Sequence, residues 1–203
     1  MMPVIPVTRS ELERALLATH LLTQNVKLAI QVVEESQGAQ LTKDGTPFLE
    51  NHTYPVVIEV INNFGEGLND LTVAAALLHD VLEDTAVTEN QLNKIFPKQI
   101  VYTVRLLTRQ KESKGASDET KLTLSASYMQ QIHGADYSTR LIKLSDRMVN
   151  LWLVARLKNK HPETLRRYII ETNELFIPLA KLTSPTYAER IAIRIKSLRL
   201  LLN

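Results

Sequence analysis

The stretch Ala74-Ala75-Ala76-Leu77-Leu78-His79-Asp80-Val81-Leu82-Glu83-Asp84-Thr85 puts four ionisable residues at the end of an otherwise apolar run. With Leu71 to Val73 ahead of it, and Asn69 or Asp70 as N-cap, the pattern predicts a helix over 71–83. A helix that is apolar on every side is a central, buried one. At about 100° per residue, with His79 taken as origin, Asp80 falls near 100°, Glu83 near 40° and Asp84 near 140°, so a helix continued to Asp84 holds all four on one side. Unpaired charge on a buried helix costs several kcal/mol, so cations must balance these groups or the fold must open there to a polar cleft. A metal ion meets both needs; a polar helix end with a solvated terminus is the plainer alternative.

The flanking sequence is helical too. Leu12, Leu16, Leu21, Leu22, Val26, Ala29, Ile30 and Val33 recur at helical spacing, predicting one or two helices over 10–35 with Ser10-Glu11-Leu12-Glu13 as a capping box. Residues 38–47 read as a loop whose Lys43-Asp44-Gly45 is a turn signal, and Val56, Val57, Val60, Ile61 and Phe64 predict a helix over 55–64. Thr88-Glu89-Asn90-Gln91 is a capping box that opens a short helix to Ile95, followed after Pro97 by another to Leu107. The polar segment 109–120 reads as mobile. Helices are expected over 121–133, 138–157, 162–182 and 186–202. The sum is an all-α chain of roughly ten helices forming one domain over 1–203.

Composition supports this class and narrows the chemistry. The 203 residues hold only 6 Gly and 8 Pro, few for a turn-rich all-β design. With no cysteine there are no disulfides, thiol nucleophiles, iron–sulfur clusters or Cys-type zinc sites, so any metal must use His, Asp or Glu. Lys and Arg number 24 against 22 Asp and Glu, too even a balance to point to nucleic acid as partner. No stretch approaches the ~18 apolar residues of a membrane span. Met1-Met2-Pro3-Val4-Ile5-Pro6 lacks the basic and apolar regions of a signal peptide, so a cytoplasmic protein is expected.

Two further features accompany the His79–Thr85 string. His52 enters the preceding helix, and Arg140-Leu141-Ile142-Lys143-Leu144-Ser145-Asp146-Arg147-Met148-Val149-Asn150 sets Asp146 and Asn150 one turn apart among apolar residues. A buried carboxylate again needs a partner.

A His, then His-Asp, then a distant Asp on a later helix resembles the HD-domain metal-dependent phosphohydrolases. The longer strings, Lys43-Asp44-Gly45-Thr46-Pro47-Phe48 before His52, His79-Asp80-Val81-Leu82-Glu83-Asp84-Thr85, and Ile142-Lys143-Leu144-Ser145-Asp146-Arg147, are similar to the hydrolase domain of the Rel/SpoT family, which removes the 3′-pyrophosphate of (p)ppGpp. The similarity runs over about 29–180 and includes Glu171-Thr172 and Ile177-Pro178-Leu179-Ala180. It implies an HD-type helical bundle. Large members add synthetase and regulatory domains for which 203 residues leave no room, so the implied relative is a stand-alone small alarmone hydrolase.

The resemblance implies His52, His79, Asp80 and Asp146 as metal ligands and Mn²⁺ as the metal, a donor set that other divalent transition metals would also accept. The metal would lower the pKa of bound water and neutralise charge on the pyrophosphate oxygens. Glu83 and Asp84 match the family's catalytic acidic pair, which orients or deprotonates the water and assists departure of the ribose oxygen. Lys43 and Asn150 match residues that bind the nucleotide, and the products would be GDP or GTP and pyrophosphate.

Some positions depart from the pattern. Thr42 stands where many members have a second basic residue and Leu153 where they often have Thr. One extra residue separates Pro47 from His52, and Pro55 follows His52 by three positions instead of one. These departures favour, as the alternative, an HD phosphohydrolase of another nucleotide phosphate, such as NADPH 2′-phosphate or a nucleoside monophosphate; a nucleotide sensor without catalysis ranks third. Lys143 and Arg147, at i−3 and i+1 from Asp146, cannot both face the metal and read equally well as solvated charges. His20, His133 and His161 read as surface or capping residues. The last helix sets Arg190, Arg194 and Lys196 beside Ile191, Ile195 and Leu198, a solvated basic face over an apolar one that is packed internally or used in a homo-oligomer.

Overall fold

In the computed structural model residues 6–109 and 118–202 are described. The chain runs through α1 (Arg9–Ala18), α2 (Gln24–Gln37), a π-helical turn (Leu49–Thr53), α3 (Tyr54–Phe64), α4 (Asp70–Leu77), α5 (Val81–Asp84), α6 (Glu89–Ile95) and α7 (Lys98–Leu107). It continues with α8 (Asp118–Gly134), α9 (Tyr137–Ala155), α10 (Pro162–Glu171), a second π-helical turn (Thr172–Phe176), α11 (Ile177–Thr183) and α12 (Pro185–Arg199). Among the described residues the sole β feature is an isolated antiparallel bridge between Leu41 and Pro47. The expected all-α class is therefore what the chain adopts. Most of the segment read as mobile, 110–117, lies outside the described residues.

Two helices organise the core. α4 is buried from Thr72 to Leu77, as its all-round apolar sequence requires, and packs against α2, α3, α7 and α9. The side chain of Asn69 accepts from the Thr72 amide and caps its start. α9, capped by Asp136 on the Thr139 amide, touches α3, α4, α7, α8, α10, α11, α12 and both π-turns. Its buried residues include Leu141, Ile142, Leu144, Met148, Val149 and Leu151. Among the described residues no helix is long and apolar enough to cross a membrane.

Several expected boundaries move for identifiable reasons. The first capping box is formed by Thr8 with Glu11 rather than by Ser10 with Glu13, so the cap lies two residues earlier. His20 takes a left-handed conformation (φ 57°) where the chain turns from α1 toward α2. The helix predicted over 71–83 does not run through: α4 ends at Leu77, and the chain turns at Leu78–Asp80 before α5. In a continued helix the Ala76 carbonyl would receive the Asp80 N–H; here it lies 2.7 Å from Nδ1 of His79. The angular placement of His79, Asp80, Glu83 and Asp84 on one helix therefore gives way to a turn that aims each separately. The helix predicted over 162–182 is likewise interrupted by the second π-turn.

On α12 the apolar residues Tyr187, Ala188, Ile191, Ile195 and Leu198 are buried within this chain. Of the basic residues above them Lys196 is exposed, whereas Arg190 and Arg194 are engaged with other helices. Arg190 pairs with Glu59 at 2.6 Å, and Arg194 stacks on the Trp152 ring at 3.5 Å while donating to the Leu151 carbonyl.

Candidate active site

Two breaks in regular helix and the middle of one long helix bring the singled-out residues together. His52 stands on the π-helical turn that leads into α3, a wide turn of the kind that takes up one extra residue without redirecting the axis. That turn buries Asn51, His52 and Thr53 side by side. His79 and Asp80 project from the break between α4 and α5, and Asp146 from the middle of α9.

Nε2 of His52 lies 3.1 Å from Nε2 of His79, 3.0 Å from Oδ2 of Asp80 and 3.6 Å from Oδ1 of Asp146. Nε2 of His79 is 3.1 Å from the same Asp80 oxygen. With Nδ1 of His79 donating to the Ala76 carbonyl, its Nε2 faces the cluster, where it would offer its lone pair to a bound ion in place of a proton shared with Asp80. Nδ1 of His52 has no hydrogen-bond partner, and that ring is positioned by packing on Phe48, centroids 4.9 Å apart.

The two carboxylates draw positive charge to the cluster. Burial opposes charge on His79, yet the Asp80 carboxylate, seconded by Asp146, raises its pKa to about 9. Burial also opposes ionisation of both aspartates; His79 and His52 nevertheless hold Asp80 well below the usual carboxylate range. Lys143 does most to hold Asp146 down, against the repulsion of Asp80. His52, His79 and Asp146 present ligand atoms within 4.8 Å of one another, and an oxygen of Asp80 lies against both imidazoles, a nitrogen and oxygen donor set that could hold a divalent ion.

The cluster opens into a pocket of about 690 Å³. His52, Asp80, Asp146, Glu83, Asp84, Lys43 and Asn150 line it, and His79 is buried behind them. Glu83 accepts the Arg109 backbone N–H at 3.0 Å; burial raises its pKa, against the pull of that hydrogen bond and of Lys143. Asn150 donates from Nδ2 to Oδ1 of Asp146. Lys43 is exposed on the loop over 41–47.

Residues 28–183 match the model of the HD domain family. The chain belongs to the HD-domain family. Over 165 residues it is 31% identical to the bifunctional (p)ppGpp synthase/hydrolase SpoT of Escherichia coli K12, a match covering 77% of this chain and 21% of that protein. Over 164 residues it is 29% identical to guanosine-3′,5′-bis(diphosphate) 3′-pyrophosphohydrolase of Aquifex aeolicus, again 77% of this chain and 21% of that one. The HD domain therefore spans about a fifth of the length of these curated relatives. Among solved structures it resembles a metazoan ortholog of SpoT described as hydrolysing ppGpp, at a TM-score of 0.69 and 18% identity over 86% of this chain and 96% of that one, a likeness of fold.

The HD domain also shows what sequence reading left out. Lys143 and Arg147 are not solvated: Lys143 donates to Oδ2 of Asp146 at 2.8 Å, whereas Arg147 turns away to Thr172 and Glu171, packed between the rings of Tyr168 and Phe176. Tyr128 of α8 lies beneath the Lys143 ammonium, 5.3 Å from its ring centroid. Tyr128, Arg167 and Tyr168 join the pocket wall from helices that carry no local sign of a site.

Proposed function

We propose that this HD domain hydrolyses the 3′-pyrophosphate of guanosine 3′,5′-bis(diphosphate), and of its pentaphosphate analogue, giving GDP or GTP and pyrophosphate. The observation that carries the reading is the four-residue cluster of His52, His79, Asp80 and Asp146 at the floor of a pocket whose wall adds the acidic pair Glu83 and Asp84 and the cations Lys43, Arg109, Lys143 and Arg167. A polyanionic substrate needs such cations, and relatives named as guanosine-3′,5′-bis(diphosphate) 3′-pyrophosphohydrolases match 77% of this chain.

His52, His79, Asp80 and Asp146 would hold Mn²⁺. The ion supplies Lewis acidity toward water and toward the pyrophosphate oxygens. Glu83 takes the proton of the attacking water: its burial raises its basicity, and the Arg109 amide fixes one of its oxygens. The new bond joins water oxygen to the phosphorus on the 3′ side, the bond from that phosphorus to the ribose 3′ oxygen breaks, and Asp84 relays to that oxygen the proton Glu83 took from the water. Lys43 and Asn150 bind the nucleotide.

A second reading, hydrolysis of another nucleotide phosphate, draws on the pocket wall. Thr42 spends its hydroxyl on Asp44, and Leu153, Val154 and Leu157 present only apolar surface. The test is incubation with ppGpp and Mn²⁺ beside a chelated control and a panel of nucleotide phosphates, with products separated by chromatography. Metal-dependent GDP and pyrophosphate are expected, lost in Asp80→Ala. Intact ppGpp with cleavage of another member of the panel would move the assignment to the second reading, and tight binding of ppGpp without turnover would make the domain a sensor.

A further inference from the structure

We propose that Arg156, at the end of α9, is a positioning residue that straps the Lys43 loop to the pocket; the proposal rests on the nucleotide-hydrolase reading of that pocket. The loop is wound around one side chain. Oδ1 of Asp44 accepts from the hydroxyls of Thr42 and Thr46 and from the Thr46 amide, while Thr42 N donates to Thr46 O and Gly45 N to Thr42 O, each at 2.9 Å. Gly45 closes the turn with φ 85°, a conformation that favours glycine. With Asp44 turned inward, its neighbour Lys43 projects at the pocket mouth.

The second oxygen of Asp44 leaves the loop. Oδ2 lies 3.3 Å from NH1 of Arg156, and the same nitrogen donates at 2.9 Å to Oδ1 of Asn51, the residue before His52. Asn51 closes the circuit by donating from Nδ2 to the Pro47 carbonyl at 2.9 Å. At the near end, Nε2 of Gln40 donates to the backbone carbonyl of Asp84 at 3.0 Å. The loop is thus anchored on one side to the acidic pair, and on the other, through one guanidinium nitrogen, to α9 and to the turn that carries His52. A lysine side chain is long and mobile, so the place where its ammonium meets a phosphate depends on how firmly its backbone is held. Arg156 itself reaches no reacting atom; it acts through Lys43.

The test uses the full chain loaded with Mn²⁺. KM and kcat for ppGpp are measured in the parent, Arg156→Ala, Lys43→Ala and the double variant, with Asp44→Asn as a second way to cut the strap from the loop side. Loss of a charge-assisted contact to phosphate predicts a KM rise of about tenfold in each single variant with kcat within about twofold. The double variant should be no worse than Lys43→Ala alone, because both changes remove one interaction. In parallel, hydrogen exchange of the peptide over 40–47 should quicken at least about tenfold in Arg156→Ala and Asp44→Asn while α4 and α9 keep their protection. Multiplied KM effects in the double variant, an unchanged KM, or unchanged exchange over 40–47 would overturn the proposal. A parent that leaves ppGpp intact would sink the substrate reading instead, and the exchange experiment would still decide whether the strap holds the loop.

Discussion

Nζ of Lys143 lies 2.8 Å from Oδ2 of Asp146, one turn along α9, and leaves Oδ1 of the same carboxylate 3.6 Å from Nε2 of His52. The lysine occupies one oxygen and so settles which oxygen faces the histidines. Burial opposes the ammonium charge, yet Asp146 holds its pKa well above the ordinary lysine value, so the clamp stays charged across the working range. Lys143→Met should weaken Mn²⁺ binding by about 10–100-fold, the usual cost of losing the partner of a ligand. Titration calorimetry reads this directly, and unchanged affinity would remove Lys143 from the metal site.

Glu83 lines the same pocket as His52, Asp80 and Asp146. Glu83→Gln keeps the shape and removes the basic oxygen. It should bind Mn²⁺ as the parent does and turn over ppGpp about 10²–10⁴-fold more slowly. A full rate in that variant would pass the proton-acceptor role to another group.

Asp44 gives a stability prediction with a defined pH window. Burial pushes its pKa up, but hydrogen bonds from Thr42, Thr46 and Arg156 outweigh burial and bring it from 3.8 down to about 2. A carboxylate with a depressed folded pKa stabilises the fold above its unfolded value and loses that contribution as pH falls through the folded one. The difference in melting temperature between the parent and Asp44→Asn should therefore be full above about pH 4 and shrink steadily toward pH 2, as scanning calorimetry across that range would show.

Away from the site, Glu59 is 2% exposed and its carboxylate is held by Arg190 and Asn63. Burial nevertheless leaves its pKa above the ordinary 4.5, with Arg190 limiting the rise. Arg190→Ala should destabilise the fold by about 3–5 kcal/mol at neutral pH, since it strands a buried charge. The folded-state pKa then rises further above the unfolded one, so the variant should lose stability as pH climbs above about 4.5; urea unfolding at several pH values measures both effects.

How much of this was legible in the sequence differs from residue to residue. The burial of α4, its Asn69 cap and the capping box at Thr88 follow from local pattern, and all are present. The His-Asp strings carried the resemblance that brought His52, His79, Asp80 and Asp146 to one point. The break after Leu77 was hidden because its cause is a side chain competing for a backbone carbonyl, which no periodicity records. The strap from Arg156 to Asp44 was hidden for a different reason: its partners lie 112 positions apart, and each alone reads as an ordinary surface charge.

The π-helical turn at Leu49–Thr53 makes part of this site a matter of counting. Removing one residue just ahead of His52 would return the turn to ordinary helical winding and rotate the segment before it, with the Lys43 loop, by about 100° relative to α3, while His52 stays on the α3 side. Conservative replacements along this segment leave the winding as it is, whereas a one-residue deletion with harmless composition would re-aim the loop that carries Lys43. In this part of the chain, length is under tighter constraint than identity.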